Sequence, residues 1–110
     1  MDSYAVEITE HAEKDLRDIY RYIKNNLLAE DAASVQKGRL KDAVFGLSSM
    51  PERFPLVSDE ELYRQGVRFC PVDNYLLFYV VHPHIKTVYI LRVLYARRDW
   101  RHLLCREMPN

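Results

Sequence analysis

Apolar residues in this chain change their spacing from segment to segment. Tyr4, Val6 and Ile8 alternate with Ala5, Glu7 and Thr9, the two-residue period of a short half-buried strand. Ala12, Leu16, Ile19, Tyr20, Ile23 and Leu27 then recur every three or four residues, which predicts one stripe along a helix. Thr9 is placed to cap that helix, Glu10 and Glu13 fall favourably in its first turn, and Asn25-Asn26 marks its end. A second helix is predicted from about Glu30 and Asp31 to about Ser49, with Ala33, Leu40, Ala43, Val44 and Leu47 on its buried side. Pro51 closes it, and MPERFPLVSDEEL reads as a turn-rich connection.

From Gly66 to Asp99 the rhythm becomes that of strands. GVRFCPV, DNYLLFYVVH and TVYILRVLYARRD are separated only by the turn-forming pairs Asp73-Asn74 and Pro83-His84. Connections this short cannot carry a parallel crossover, so the segment is predicted to be a three-stranded antiparallel meander. Its middle run is apolar on both alternating faces: Tyr75, Leu77, Tyr79 and Val81 on one, Leu76, Phe78 and Val80 on the other. Such a strand lies inside a sheet that is covered on both sides. Asp99 is placed to cap a last short helix, Trp100 to Arg106, before the chain frays at Pro109. The fold class is α+β, in the order β-α-α-β-β-β(-α), an antiparallel sheet with a helical hairpin packed on one face. The opposite face must meet the terminal segment, a partner or water. Its apolar character points to a partner.

Length and charge narrow the picture. The 110 residues make a single domain, 1–110, with a modest core. No apolar run approaches the roughly 20 residues needed to cross a bilayer, and the start lacks the basic and apolar regions of a signal peptide. Cys70 and Cys105 form neither a disulfide framework nor a metal-ligand spacing, which suits thiols in a reducing cytosol. Net charge is zero, yet residues 1–63 carry 8 Lys/Arg against 13 Asp/Glu and residues 64–110 carry 8 against 3. Either the basic half meets nucleic acid or an acidic protein, or the two halves neutralise each other across the fold.

Taken in order, ITEHAEKDLRDIYRYI, AEDAASVQKGRLKDAVFGL, MPERFP, GVRF, NYLLFYVV and ILRVLYARRDW resemble the RelE/ParE superfamily of toxins from bacterial type II toxin–antitoxin pairs. The resemblance spans nearly the whole chain. It implies that the first strand lies beside the last, and that a cognate antitoxin wraps over the toxin with its C-terminal segment. It further implies a cytoplasmic protein of a plasmid-stabilisation system without cofactor or metal, assembled as a homodimer or a toxin–antitoxin hetero-oligomer.

The superfamily divides by target. RelE-like members cleave mRNA on the ribosome, whereas ParE-like members inhibit DNA gyrase without a catalytic site of their own. Metal-free RNA cleavage needs a base for the 2′-hydroxyl and donors for the phosphorane and the leaving oxygen. Nucleolytic relatives often carry arginine after the central-strand tyrosine, where this chain has Leu76 after Tyr75. Their paired basic residues on the preceding strand are reduced here to Arg68. Zero net charge also departs from habitual work on ribosomal RNA. These departures favour the ParE-like reading, a toxin acting on DNA gyrase. The alternative is a ribosome-dependent mRNA endoribonuclease using Arg68, Arg92, Tyr95 and Arg97.

Arg68, Arg92, Tyr95, Arg97, Arg98 and Trp100 are the candidate partner-binding residues, with the four arginines rimming an apolar groove for an acidic antitoxin tail. Arg92, within an apolar strand, is either an open-face residue or half of a buried ion pair. Trp100 is expected to dock the tail onto the sheet. His82 and His84 flank the Pro83 turn without further ligands, so no metal is expected there.

Overall fold

The computed structural model describes residues 3–107, with side chains as far as Cys105, so the fraying expected at Pro109 lies outside them. The first strand, β1 (Ala5–Ile8), alternates between exposed and half-buried positions as its sequence period requires. Thr9 then caps α1 (Glu10–Arg21), its hydroxyl oxygen accepting from the Ala12 N–H at 3.2 Å. The helix runs on into a π-helical turn, Tyr22–Asn26, where the Leu27 N–H donates to the Tyr22 carbonyl at 3.3 Å. That turn holds one residue more than an α-helical one and rotates the residues after it about the helix axis. Leu27 is therefore 57% exposed, a correction to its place on the apolar stripe. Leu28, at φ 50°, reverses the chain into α2 (Glu30–Gly46), which stops short of the expected Ser49. Ala33, Leu40, Val44 and Leu47 are buried as predicted, and Leu16 and Ile19 pack half-buried against the same core.

The meander forms as β2 (Arg68–Val72), β3 (Tyr75–His82) and β4 (Thr87–Tyr95), antiparallel throughout. β1 adds parallel to β4, with Ala5 opposite Thr87 and Ile8 opposite Ile90, so the sheet order is β1-β4-β3-β2. Both helices pack on one face. Asp73, at φ 56° in the β2–β3 turn, accepts from Arg39 at 2.7 and 2.8 Å and from Gln36 at 3.0 Å. These bonds tie the meander to α2.

The other face corrects the expectation of a partner: the chain covers it itself. The stretch read as a turn-rich connection runs into α3 (Glu60–Arg64), which packs there together with α4 (Trp100–Glu107). Val57, Leu62, Val67 and Leu104 are buried against Phe78, Val80 and Leu94. The Trp100 ring lies 5.2 Å from that of Phe78, the docking its position predicted. Asp59 joins the two short helices, capping α3 through the Leu62 N–H and meeting Arg101 at 3.0 Å. The physical reason is reach. The linker and tail flank the meander on the chain and carry enough apolar surface to cover an inner strand that would otherwise be wet.

The oppositely charged halves of the sequence meet in pairs: Asp15 with Arg92, Glu52 with Arg68, Asp59 with Arg101 and, with signs reversed, Arg39 with Asp73. Part of the charge asymmetry is thus neutralised within the fold.

Candidate functional site

The exit of β4 is shaped by a bulge. Phe78 pairs with Arg92 and Tyr79 with Ile90, which leaves Leu91 as an extra residue on β4. The extra residue inverts the alternation. Val88 and Ile90 face the helices before it, and Val93 faces them after it, while Leu91 and Leu94 turn to the other side. Thr9 holds the bulge in place. Its N–H donates to the Ile90 carbonyl at 3.1 Å, and its hydroxyl lies 2.8 Å from that carbonyl oxygen and 3.1 Å from that of Leu91.

β1 stops at Ile8, so beyond the bulge β4 has no strand on its outer side among the described residues. A side chain takes the strand's place. Asp15 of α1 accepts from the Val93 N–H at 3.0 Å, from Arg92 Nε at 2.7 Å and from Arg92 Nη2 at 2.9 Å. Both residues are only 8% exposed. Arg92 is therefore half of a buried bidentate ion pair, one of the two roles its sequence setting allowed. Sequence reasoning missed Asp15, although a signal was present: it lies three residues after Ala12 and four before Ile19, on the stripe itself.

A groove of about 680 Å³ opens between this edge and the end of α1. Ile19, Tyr22 and Ile23 line one wall, and Tyr75, Tyr95 and Arg98 line the other. The Tyr75 and Tyr95 rings meet edge to face at 6.1 Å. Burial, and then the neighbouring Tyr95 and Tyr22 hydroxyls, push the Tyr75 phenol up, so it stays protonated. Asp18, at the groove's other side, is held below the usual carboxylate range by its hydrogen bond from Lys14. Arg97 and Arg98 are exposed just past the strand.

The six candidate residues do not form one surface. Arg68 is on β2, two strands from β4, where it donates to the Phe54 carbonyl at 2.6 Å and the Glu52 carbonyl at 3.2 Å. Arg92 is inside, and Trp100 is on the far face. Of the four arginines expected to rim a groove, Arg98 lines this one. Among the described residues, no group of three His, Cys, Asp or Glu is arranged to hold a metal ion.

Beside Arg68, the Tyr79 hydroxyl donates to the Pro51 carbonyl at 2.6 Å inside the core. Burial pushes this phenol up to about 12, above the ordinary tyrosine value of 10.0. A raised value favours the protonated fold. The contribution is complete below about pH 10 and is lost as pH rises from about 10 to about 12, roughly 2–3 kcal/mol in all. Urea titrations at about pH 9 and about pH 11 are expected to record that fall. Tyr79→Phe is expected to be less stable at neutral pH but to lose clearly less on going alkaline. An equal alkaline loss in both proteins would assign it to other groups.

Residues 6–100 match the family described as ParE toxin of type II toxin-antitoxin system, parDE. The chain belongs to the ParE toxin family. A search of curated proteins found no match. Solved structures share the fold of this toxin. The chromosomal ParDE toxin–antitoxin system of P. aeruginosa superposes at a TM-score of 0.71 and 19% identity, covering 88% of this chain and 100% of that one. The toxin–antitoxin complex RelBE2 of Mycobacterium tuberculosis gives 0.62 and 25%, covering 86% and 93%. A mutant of the E. coli toxin RelE in the free state gives 0.65 and 17%, covering 96% and 99%. The matched stretch of the toxin ends at Trp100, so it holds the bulge, the buried pair and the groove, while most of α4 lies beyond it. Among the described residues, no helix is long and apolar enough to cross a membrane.

Proposed function

We propose that this toxin arrests growth by acting on DNA gyrase in the cytoplasm, and that a cognate antitoxin polypeptide neutralises it. Membership of the ParE family supports the gyrase target, and the solved relatives described as toxin–antitoxin complexes support the antitoxin. The observation that carries the choice of target is the engagement of the arginines. Arg92 is bound to Asp15 inside the protein, and Arg68 is bound to backbone carbonyls. Neither is poised to stabilise a phosphorane. Tyr95, Arg97 and Arg98 remain exposed at the β4 exit, and arginine is a poor general base because it stays protonated. A surface of cations and aromatic rings, whose carboxylate Asp18 is engaged by Lys14 and held below the usual range, suits protein contact better than RNA cleavage. Tyr95, Arg97 and Arg98 are the residues we assign to that contact.

The test adds purified toxin to a gyrase supercoiling assay and, separately, to translating ribosomes. Supercoiling is expected to stop while mRNA stays intact, and Arg97→Ala/Arg98→Ala is expected to weaken inhibition by about tenfold. Cleavage of mRNA in the ribosomal A site, lost in Arg97→Ala or Tyr95→Phe, would replace this reading with the endoribonuclease.

A further inference from the structure

Two irregularities in otherwise regular elements open on the same groove. One is the π-helical turn Tyr22–Asn26, whose extra residue turns Leu27 off the apolar stripe of α1 and out to the groove's mouth. The other is the bulge in β4. If β4 continued in the register that pairs Tyr79 with Ile90, Leu94 would stand opposite Tyr75. Tyr95 would then turn to the face that α3 and α4 cover. The extra residue at Leu91 places Tyr95 opposite Tyr75 instead, with the two rings edge to face. Each irregularity disturbs a regular hydrogen-bond ladder, and both kinds gather at functional sites, where they re-aim side chains. Here each shapes one wall of a single groove.

The lining suits an apolar side chain. Ile19, Ile23 and Tyr75 form its inner surface, and Tyr22, Leu27 and Tyr95 leave large apolar areas exposed around it. Its two carboxylates are engaged, Asp15 by Arg92 and Asp18 by Lys14. Arg97 and Arg98, at the same end, meet no carboxylate among the described residues. A nucleic-acid strand has bases to stack on the rings, but a chain of zero net charge gives its phosphates no long-range attraction. Tyr95 and Arg98 belong both to the groove and to the surface assigned to gyrase, so a protein pressed on that surface reaches into the groove. We infer that gyrase anchors itself here through one large apolar side chain, the size of leucine or phenylalanine, with a carboxylate beside it that meets Arg97 and Arg98. This rests on the gyrase reading above and names the chemistry of the segment that the toxin holds.

The first arm of the test measures inhibition of supercoiling. Tyr22→Ala and Leu27→Asp are each expected to weaken it by about tenfold or more, and Tyr22→Phe by less than about twofold. Both residues are exposed, so circular dichroism is expected to report an unchanged fold for every variant. Unchanged inhibition by Tyr22→Ala and Leu27→Asp would overturn the inference and leave the gyrase reading standing. If those variants inhibit fully but escape the polypeptide encoded beside the gene, the groove belongs to the antitoxin and the inference falls. A dimer of the free toxin in sedimentation, split by Leu27→Asp, would likewise give the groove to a second copy. Unmodified toxin that leaves gyrase untouched would sink the gyrase reading, and the inference with it. The second arm needs no gyrase. Isotope-labelled toxin is titrated with the peptide acetyl-Glu-Phe-Glu-amide and followed by amide NMR. Shifts are expected at Ile19, Ile23, Tyr75 and Tyr95, and are expected to be lost when alanine replaces the peptide's phenylalanine. No shift, equal shifts with the alanine peptide, or larger shifts with a short single-stranded oligonucleotide would overturn the inference.

Discussion

Asp15→Ala is expected to lower the unfolding free energy by about 3–5 kcal/mol, the usual cost of stripping one partner from a buried ion pair. The substitution leaves the Arg92 guanidinium without its carboxylate, and the Val93 N–H without the acceptor that replaces a neighbouring strand. Either loss is costly where water cannot substitute. Asp15→Asn keeps one acceptor oxygen and is expected to fall between. Asp15→Leu/Arg92→Met removes both charges in similar volume and is expected to recover much of the loss. It should stay below wild type by about 1–3 kcal/mol, because the Val93 N–H is still unpaired. Chemical denaturation of the four proteins measures these differences. A loss under about 1 kcal/mol in Asp15→Ala would mean that water reaches the pair and screens it.

Phe78→Ala is expected to cost about 3–5 kcal/mol as well, through a different mechanism. Phe78 of β3 is fully buried beside the bulge, on the face covered by the tail, with Trp100 against its ring. Truncation opens a cavity beneath α4 and removes the surface on which the tail rests. Trp100→Ala, at a partly exposed site, is expected to cost less. The informative measurement pairs denaturation with hydrogen exchange of α4 amides. Phe78→Ala is expected to speed exchange in α4 while the amides of α1 and α2 keep their order of protection. A loss below about 1 kcal/mol with α4 exchange unchanged would show that the tail is not held by this contact.

Sequence legibility differed between the two faces of the sheet. On the helix side, the stripes of α1 and α2 and the doubly apolar run of β3 were readable because helical and strand periods follow from local backbone geometry. Leu40, Val44, Leu47, Leu77 and Tyr79 are buried where those periods place them. On the other side, Val57, Leu62 and Val67 sit in a segment with no clear period, so the cover they form was not visible. The candidate site was legible in part. Arg92 stood out as a charge in an apolar strand, but its partner is 77 residues away and carries no marking beyond its place on a helical stripe.

Local spacing by itself determined the strand, the helical hairpin, the meander and which residues of β3 face each way. The tertiary structure alone decided two further things: the extra residue at Leu91 and the burial of Arg92 against Asp15. Each depends on contacts between residues far apart in the chain or on different helices. Periodicity records which way a residue points within its own element, and it is silent about what stands opposite.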